Sequence, residues 1–293
     1  MHTLNSAILF GGQAFDPQES RPFNIETCRL TCRLAKAFEL PIRNINLLSC
    51  DSSNEMQVIF LLYNYLRWRD ETEQPPRIAL VAGQSVAQIL ALHYAGILND
   101  ECLVEILIKR TKALNKYVRP DTGIISIVGF EEADIGRLTD LASQCGAYIS
   151  NYNAKNSITI SGNNKTLKEI RTKVSQLKLG FCKILNVQGG WHSPFVEVPK
   201  QLSFMDILRN SENAKNKMAV IDNTTLIKLT NSDPLEIINE LILRGMFSPV
   251  RWFETLSMID NTNAIDTIYF GGGFSMIEKL SKHSIIKTRT VRI

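Results

Sequence analysis

What this chain of 293 residues lacks narrows its class before any motif is read. No apolar run approaches the ~18 residues that span a bilayer; residues 58–63 (Val-Ile-Phe-Leu-Leu-Tyr) fall far short. No basic segment followed by a long apolar stretch opens the sequence, so a secretory leader is not expected and a cytoplasmic protein is. The six cysteines form no CxxC pair and no Cys/His cluster, which argues against structural zinc and against a disulfide framework. Charge of neither sign dominates: 33 Lys and Arg against 29 Asp and Glu give +4, without the dense basic block that nucleic-acid binding uses. Repeats and low-complexity segments are absent. Hydrophobic residues at 44% and charged residues at 21% are ordinary globular values, excluding disordered, collagen-like and coiled-coil classes. A chain of this length buries ~75% of its unfolded surface, enough for its own core.

What is present is an alternation of short apolar runs and helix-length segments, the pattern of an α/β protein. Strands are expected at residues 7–10, 78–81 and 264–270. Helices are expected over residues 26–39, 55–68, 86–97, 102–114, 197–208 and 234–246. Pro75-Pro76 closes a polar turn that no helix crosses. From Gly123 the texture changes. Residues 124–128, 132–145, 147–149, 157–160, 165–177 and 182–187 spell β-α-β-β-α-β, the ferredoxin-like order. The expected architecture is a hydrolase-like parallel-sheet domain, residues 1–122 and 191–293, with a ferredoxin-like α+β domain at 123–190 inserted into it.

The stretch from Ile78 to Ala87 carries most of the chemistry. Ser85 follows a buried strand through Gly83-Gln84 and precedes an apolar-periodic helix, the context of a nucleophile elbow. The small residues Gly83 and Ala87 suit the close backbone approach such a turn imposes. The same spacing also allows Ser85 to serve as an N-cap of that helix. A serine nucleophile needs a base. His2 and His283 lie near the termini, and His93 stands ~12 Å along the helix axis from Ser85 at 1.5 Å per residue. His192, in the glycine-rich Gln188-Gly189-Gly190-Trp191-His192-Ser193-Pro194 loop where the small domain rejoins the large one, is the candidate. A structural histidine beside a proline turn is the other reading.

These residues resemble the malonyl-CoA:acyl carrier protein transacylases and the related acyltransferase domains of fatty acid and polyketide synthases. Phe10-Gly11-Gly12-Gln13 resembles the family's Phe-Pro-Gly-Gln-Gly. Gly83-Gln84-Ser85-Val86-Ala87 with Ala95-Gly96 resembles Gly-His-Ser-Leu-Gly and the Ala-Gly ending the next helix. Arg110 stands at the family's Arg-Gly, His192-Ser193-Pro194 at its His-Ser-Pro, and Pro249-Val250-Arg251-Trp252 and Gly271-Gly272-Gly273 at its Pro-Val-Arg-Trp and Gly-Pro-Gly. These segments, in register, span almost the whole chain.

The resemblance implies that Ser85 is the nucleophile and His192 its general base. It places the backbone N–H groups of Gln13 and Val86 at an oxyanion hole, and Arg110 as the clamp for an acyl carboxylate, where a planar guanidinium suits bidentate recognition. Gln57, Asn153 and Trp191 stand at pocket positions. The chain also departs from the pattern. Gln84 replaces the histidine before the nucleophile, Thr111 replaces the glycine after the arginine, and Trp191 is larger than the usual residue and expected to narrow or reshape the acyl pocket. Gly245 stands where the family often has glutamine, leaving a backbone carbonyl to orient His192.

The function implied is transfer of a malonyl-type group from coenzyme A to the phosphopantetheine thiol of an acyl carrier protein through an acyl-serine ester. The protein is expected to be free-standing and monomeric, with malonyl-CoA and a separate carrier as partners, without cofactor, metal, nucleic acid or membrane. An acyl-thioester hydrolase, a transferase for another acyl group and a carrier-binding relative without activity are the alternatives.

Overall fold

The computed structural model describes residues 5–12, 28–40, 53–73, 75, 77–211, 218–262, 264–271 and 288–292. In chain order these form β1 (Asn5–Phe10), α1 (Arg29–Ala37), α2 (Asn54–Glu71), β2 (Ile78–Gly83), α3 (Ala87–Tyr94) and α4 (Asp100–Tyr117). Next come β3 (Thr122–Val128), α5 (Ile135–Gln144), β4 (Tyr148–Ala154), β5 (Ser157–Asn163), α6 (Asn164–Gln176) and β6 (Phe181–Ile184). The remainder are α7 (Met205–Leu208), β7 (Ala219–Ile221), β8 (Lys228–Leu229), α8 (Leu235–Phe247), α9 (Trp252–Asp260), β9 (Ile265–Gly271) and β10 (Arg289–Arg292).

The larger sheet runs in the order β10-β9-β1-β2-β7-β8, parallel except where the short β8 turns back along β7. A parallel sheet is covered on both faces, so its central strand reads as an unbroken apolar run. In β1, Ile8 and Phe10 enter the core under α2, α3 and α4 with Tyr65, Val86 and Leu90. Ala7 and Leu9 face the other way, against Val250, Trp252 and Leu256 at α9. The register sets Phe10 beside Gly83 on one side and Gly271 on the other. The loops that follow β1 and β2 therefore leave the sheet at one level, at the carboxyl ends of the strands, where open α/β sheets form their crevices.

The smaller sheet is antiparallel, in the order β4-β5-β3-β6, with α5 and α6 packed on one face. Numbered within itself this is the ferredoxin-like order expected from the sequence. Ile125 and Ile127 face the helices, whereas Ile124 joins the larger core on the opposite side. Edge strand β4 is continued by residue 250: Tyr152 N–H donates to the Val250 carbonyl and Val250 N–H to the Ser150 carbonyl, each at 2.9 Å.

The structure corrects three expectations. Residues 197–208 form no long helix; only Met205–Leu208 makes a turn. Pro199 has no N–H to donate, residues 195 and 197 bond to Arg119 and Tyr117 in extended form, and Asn239 Oδ1 takes the Phe204 N–H at 2.6 Å. The strand expected at 147–149 runs instead from Tyr148 to Ala154, because its polar residues face a second layer of protein rather than solvent. Helix α3 stops at Tyr94, where Gly96 takes φ 72° and Ile97 N–H returns to the Leu92 carbonyl, a glycine-ended C-terminus. Helix α9 and strands β7, β8 and β10 are additional to the sequence reading.

Candidate active site

Ser85 lies between β2 and α3 with φ 56°, a left-handed conformation that costs a non-glycine residue ~1–3 kcal/mol. The turn is tight enough to dictate its neighbours. A Cβ on Gly83 would sit 2.0 Å from the Ala87 carbonyl oxygen, and one on Gly12 would sit 2.7 Å from that of Gln84. The serine does not cap the helix. Val86 is the N-cap residue of α3 and makes no side-chain capping bond. Ser85 Oγ instead lies 2.7 Å from His192 Nε2.

The loop carrying His192 is pinned by strands β3 and β5 of the small sheet and by helix α8. Gly190 N–H donates to Thr122 Oγ1 at 2.9 Å, Ser161 Oγ–H to the Trp191 carbonyl at 2.7 Å, and His192 N–H to the Met246 carbonyl at 3.1 Å. His192 also has a left-handed backbone, φ 56°, and is 4% exposed. Burial, and secondarily the positive charge of Arg110, push its pKa down to about 3; the Gly245 carbonyl beside the ring pulls the other way. Nδ1 itself is buried and has no well-aligned hydrogen-bond partner among the described residues. The imidazole is neutral at pH 7 and free to accept a proton from Ser85.

Burial of a neutral imidazole has a stability consequence of definite sign. The unfolded chain protonates His192 near pH 6.5, while the folded chain resists until about pH 3. The contribution is therefore present above pH 6.5 and is lost as pH falls below it, by ~1.4 kcal/mol per unit. Acidification from pH 6.5 to 5 should cost His192 about 2 kcal/mol of stability. Calorimetry of the native protein and of His192→Gln should show a flatter acid slope in the variant; equal slopes would mean the imidazole protonates equally well when folded.

Arg110 is not the solvated helix-end residue that neighbouring Lys109 suggests. It lies within α4, is 4% exposed, and donates to the Gly245 carbonyl at 3.4 Å. Among the described residues no carboxylate lies within ion-pair distance of it, and burial lowers its pKa to about 10, which leaves it charged at pH 7. Gly245 O is thus a common neighbour of Arg110 and the His192 ring. Asn153, on β4, accepts from Gln84 Nε2 at 2.9 Å. Trp191 is buried, its indole Nε1 near Gly189, in the core shared with Ile124. Val86 follows Ser85 as the N-cap residue of α3. Gln57 is half-buried on α2, which packs against α4. Gln13, His2, His283, Gly272 and Gly273 lie outside the described residues.

His93 is held elsewhere, as its distance along α3 predicts. Its Nδ1 lies 2.6 Å from Tyr65 Oη and its Nε2 2.8 Å from Asp100 Oδ1, a contact that is the main cause of the Asp100 pKa falling to about 2. Among the described residues no three His, Cys, Asp or Glu side chains are grouped to hold a metal ion, and no helix is long and apolar enough to cross a membrane.

A parallel sheet with an inserted ferredoxin-like sheet makes up the fold, and the Ser–His pair sits at its elbow. No protein-family model matches the chain. It is 25% identical over 221 residues to the polyketide biosynthesis protein ThaF of Burkholderia thailandensis; the match covers 74% of this chain and 18% of that protein. It is 23% identical over 238 residues to the malonyl CoA-acyl carrier protein transacylase of Escherichia coli O157:H7, covering 77% of this chain and 71% of that one. A solved complex of a type II polyketide synthase acyl-carrier protein with its malonyl-transacylase, PlMCAT:AntF, shares the fold with TM-score 0.76 and 15% identity over 99% of this chain and 96% of its own. The chain is thus similar in sequence and in fold to malonyl-CoA:acyl carrier protein transacylases.

Proposed function

We propose that the protein transfers a malonyl group from coenzyme A to the phosphopantetheine thiol of an acyl carrier protein, as a separate enzyme serving fatty acid or polyketide synthesis. Its relatives support the substrate and the carrier: the E. coli protein is a malonyl CoA-acyl carrier protein transacylase, and the solved malonyl-transacylase is bound to its carrier. The observation that carries the reading to this chain is Arg110, a buried cation beside the Ser85–His192 pair whose hydrogen-bond partner among the described residues is the Gly245 carbonyl, at 3.4 Å. A buried charge without a counter-ion is costly, and the carboxylate of a malonyl group supplies one.

Ser85 Oγ attacks the thioester carbonyl and its proton passes to His192 Nε2. The oxyanion that forms is stabilised by the Val86 N–H, with Gln13 N–H as the second donor. The C–S bond breaks, coenzyme A leaves with the proton from His192, and a malonyl-Ser85 ester remains. The carrier thiol then attacks the ester, giving its proton to His192, which returns it to Ser85. The Gly245 carbonyl, beside the ring, favours the tautomer with its proton on Nδ1, which leaves Nε2 free to accept. Water as the second nucleophile would make a hydrolase of the same site. Loaded protein chased with a holo-carrier should yield malonyl-carrier much faster than free malonate. A rate of malonate release that the carrier does not change, with no malonyl-carrier formed, would establish hydrolysis instead.

A further inference from the structure

Segments remote in sequence meet around Ser85 in a closed circuit of hydrogen bonds. Gln84 Nε2 donates to Asn153 Oδ1 at 2.9 Å, both side chains being buried. Beside Asn153 on β4, Tyr152 N–H donates to the Val250 carbonyl at 2.9 Å. The next residue, Arg251, donates its N–H to the Asn223 carbonyl at 2.7 Å. Asn223 Nδ2 then donates to the carbonyl of Gly83, the residue preceding Gln84. The circuit runs from the elbow to the small sheet, through residues 250–251 to the turn after β7, and back to the elbow.

Gln84 is fastened at its backbone as well. Its N–H donates to the Phe10 carbonyl at 2.9 Å, its own carbonyl accepts from Ala87 N–H at 3.1 Å, and a Cβ at Gly12 would come within 2.7 Å of that carbonyl oxygen. A left-handed serine persists only where its surroundings over-determine it, and this circuit supplies that constraint from both flanks. The hydrogen bonds of Gln84 and Asn223 do not reach Ser85 Oγ or the His192 ring.

We propose that Gln84 and Asn223 are positioning residues that hold Ser85 in its attacking conformation, with Asn153 and the Val250–Arg251 segment closing the circuit. This rests on Ser85 being the nucleophile. It gives a task to the Pro249-Val250-Arg251-Trp252 motif, which contributes no reacting group, and to the glutamine at position 84, whose length lets an amide span from the elbow to β4. It also spends the Asn153 amide oxygen on the elbow, leaving the nitrogen for any contact with the acyl group.

A serine-directed fluorophosphonate tests this without involving coenzyme A or a carrier. Ser85 Oγ bonds phosphorus, fluoride leaves, and His192 takes the proton. The native protein should be labelled on Ser85. Gln84→Met, which keeps the length and loses the amide, and Asn153→Ala should each slow labelling roughly 10- to 100-fold, the scale of a ~1 Å misplacement. The double variant should be no slower than the slower single one, since both remove one bond. Gln84→His, which keeps an N–H donor, should recover most of the rate. In steady state with malonyl-CoA, kcat should fall with KM nearly unchanged. Native labelling rates in Gln84→Met and Asn153→Ala, or losses that multiply in the double variant, would overturn the proposal. Failure of the native protein to label at Ser85 would instead remove the nucleophile reading and leave the circuit as scaffolding. Should Gln84→Met not fold, Asn153→Ala and Gln84→His carry the same comparison.

Discussion

Replacing Ser85 by alanine should lower malonyl transfer on the order of 10⁴-fold or more, with the fold retained. Alanine keeps the Cβ, so the left-handed backbone at φ 56° is no more strained than before. The elbow's ties run through Gly83, Gln84 and Ala87 rather than through the serine hydroxyl. Only Oγ is removed, together with its 2.7 Å contact to His192. Steady-state transfer and a thermal melt, measured on the same preparation, separate loss of chemistry from loss of structure. A folded Ser85→Ala variant working near the native rate would rule out an acyl-serine route.

Arg110→Ala should lose malonyl-CoA far more than acetyl-CoA. Truncating one member of a buried, hydrogen-bonded charge pair costs roughly 2–5 kcal/mol, which is roughly 30- to 5,000-fold in kcat/KM at a factor of ten per ~1.36 kcal/mol. Acetyl-CoA brings no carboxylate and leaves the guanidinium unpaired in a site where it is 4% exposed, so the variant should handle acetyl-CoA as well as or better than the native protein. A second readout follows from the same charge. Arg110 is one cause of the depressed His192 pKa, so its removal should move the acid limb of the kcat/KM profile upward, toward the ordinary histidine range. An unchanged malonyl-to-acetyl ratio would remove the dicarboxylate assignment.

The elbow was legible because its demands are local. An apolar strand, a glycine forced by a 2.0 Å approach and an apolar-periodic helix can all be read from ten consecutive residues. The small sheet was legible for the same reason, with its strands and helices alternating over a short span. Strand β4 was cut short in the sequence reading because Asn151, Tyr152 and Asn153 break its apolar run, and what makes them a strand is pairing with β5 and residue 250. The inward-facing Arg110 was legible only through the family resemblance. Lys109 and Lys112 make the segment look like a solvated helix end, but α4 continues to Tyr117 and turns Arg110 inward with Leu107 and Leu114. The circuit through Gln84, Asn153, Val250, Arg251 and Asn223 depends on contacts between residues 28 to 140 apart, which no local pattern encodes.

The most direct measurement is the intact mass of the protein after brief mixing with malonyl-CoA, followed by peptide mapping. The expected result is one malonyl adduct, carried on the peptide containing Ser85, absent from Ser85→Ala and discharged when a holo-carrier is added. A malonyl adduct on another residue, or carrier malonylation by a protein that never carries the group on Ser85, would contradict it.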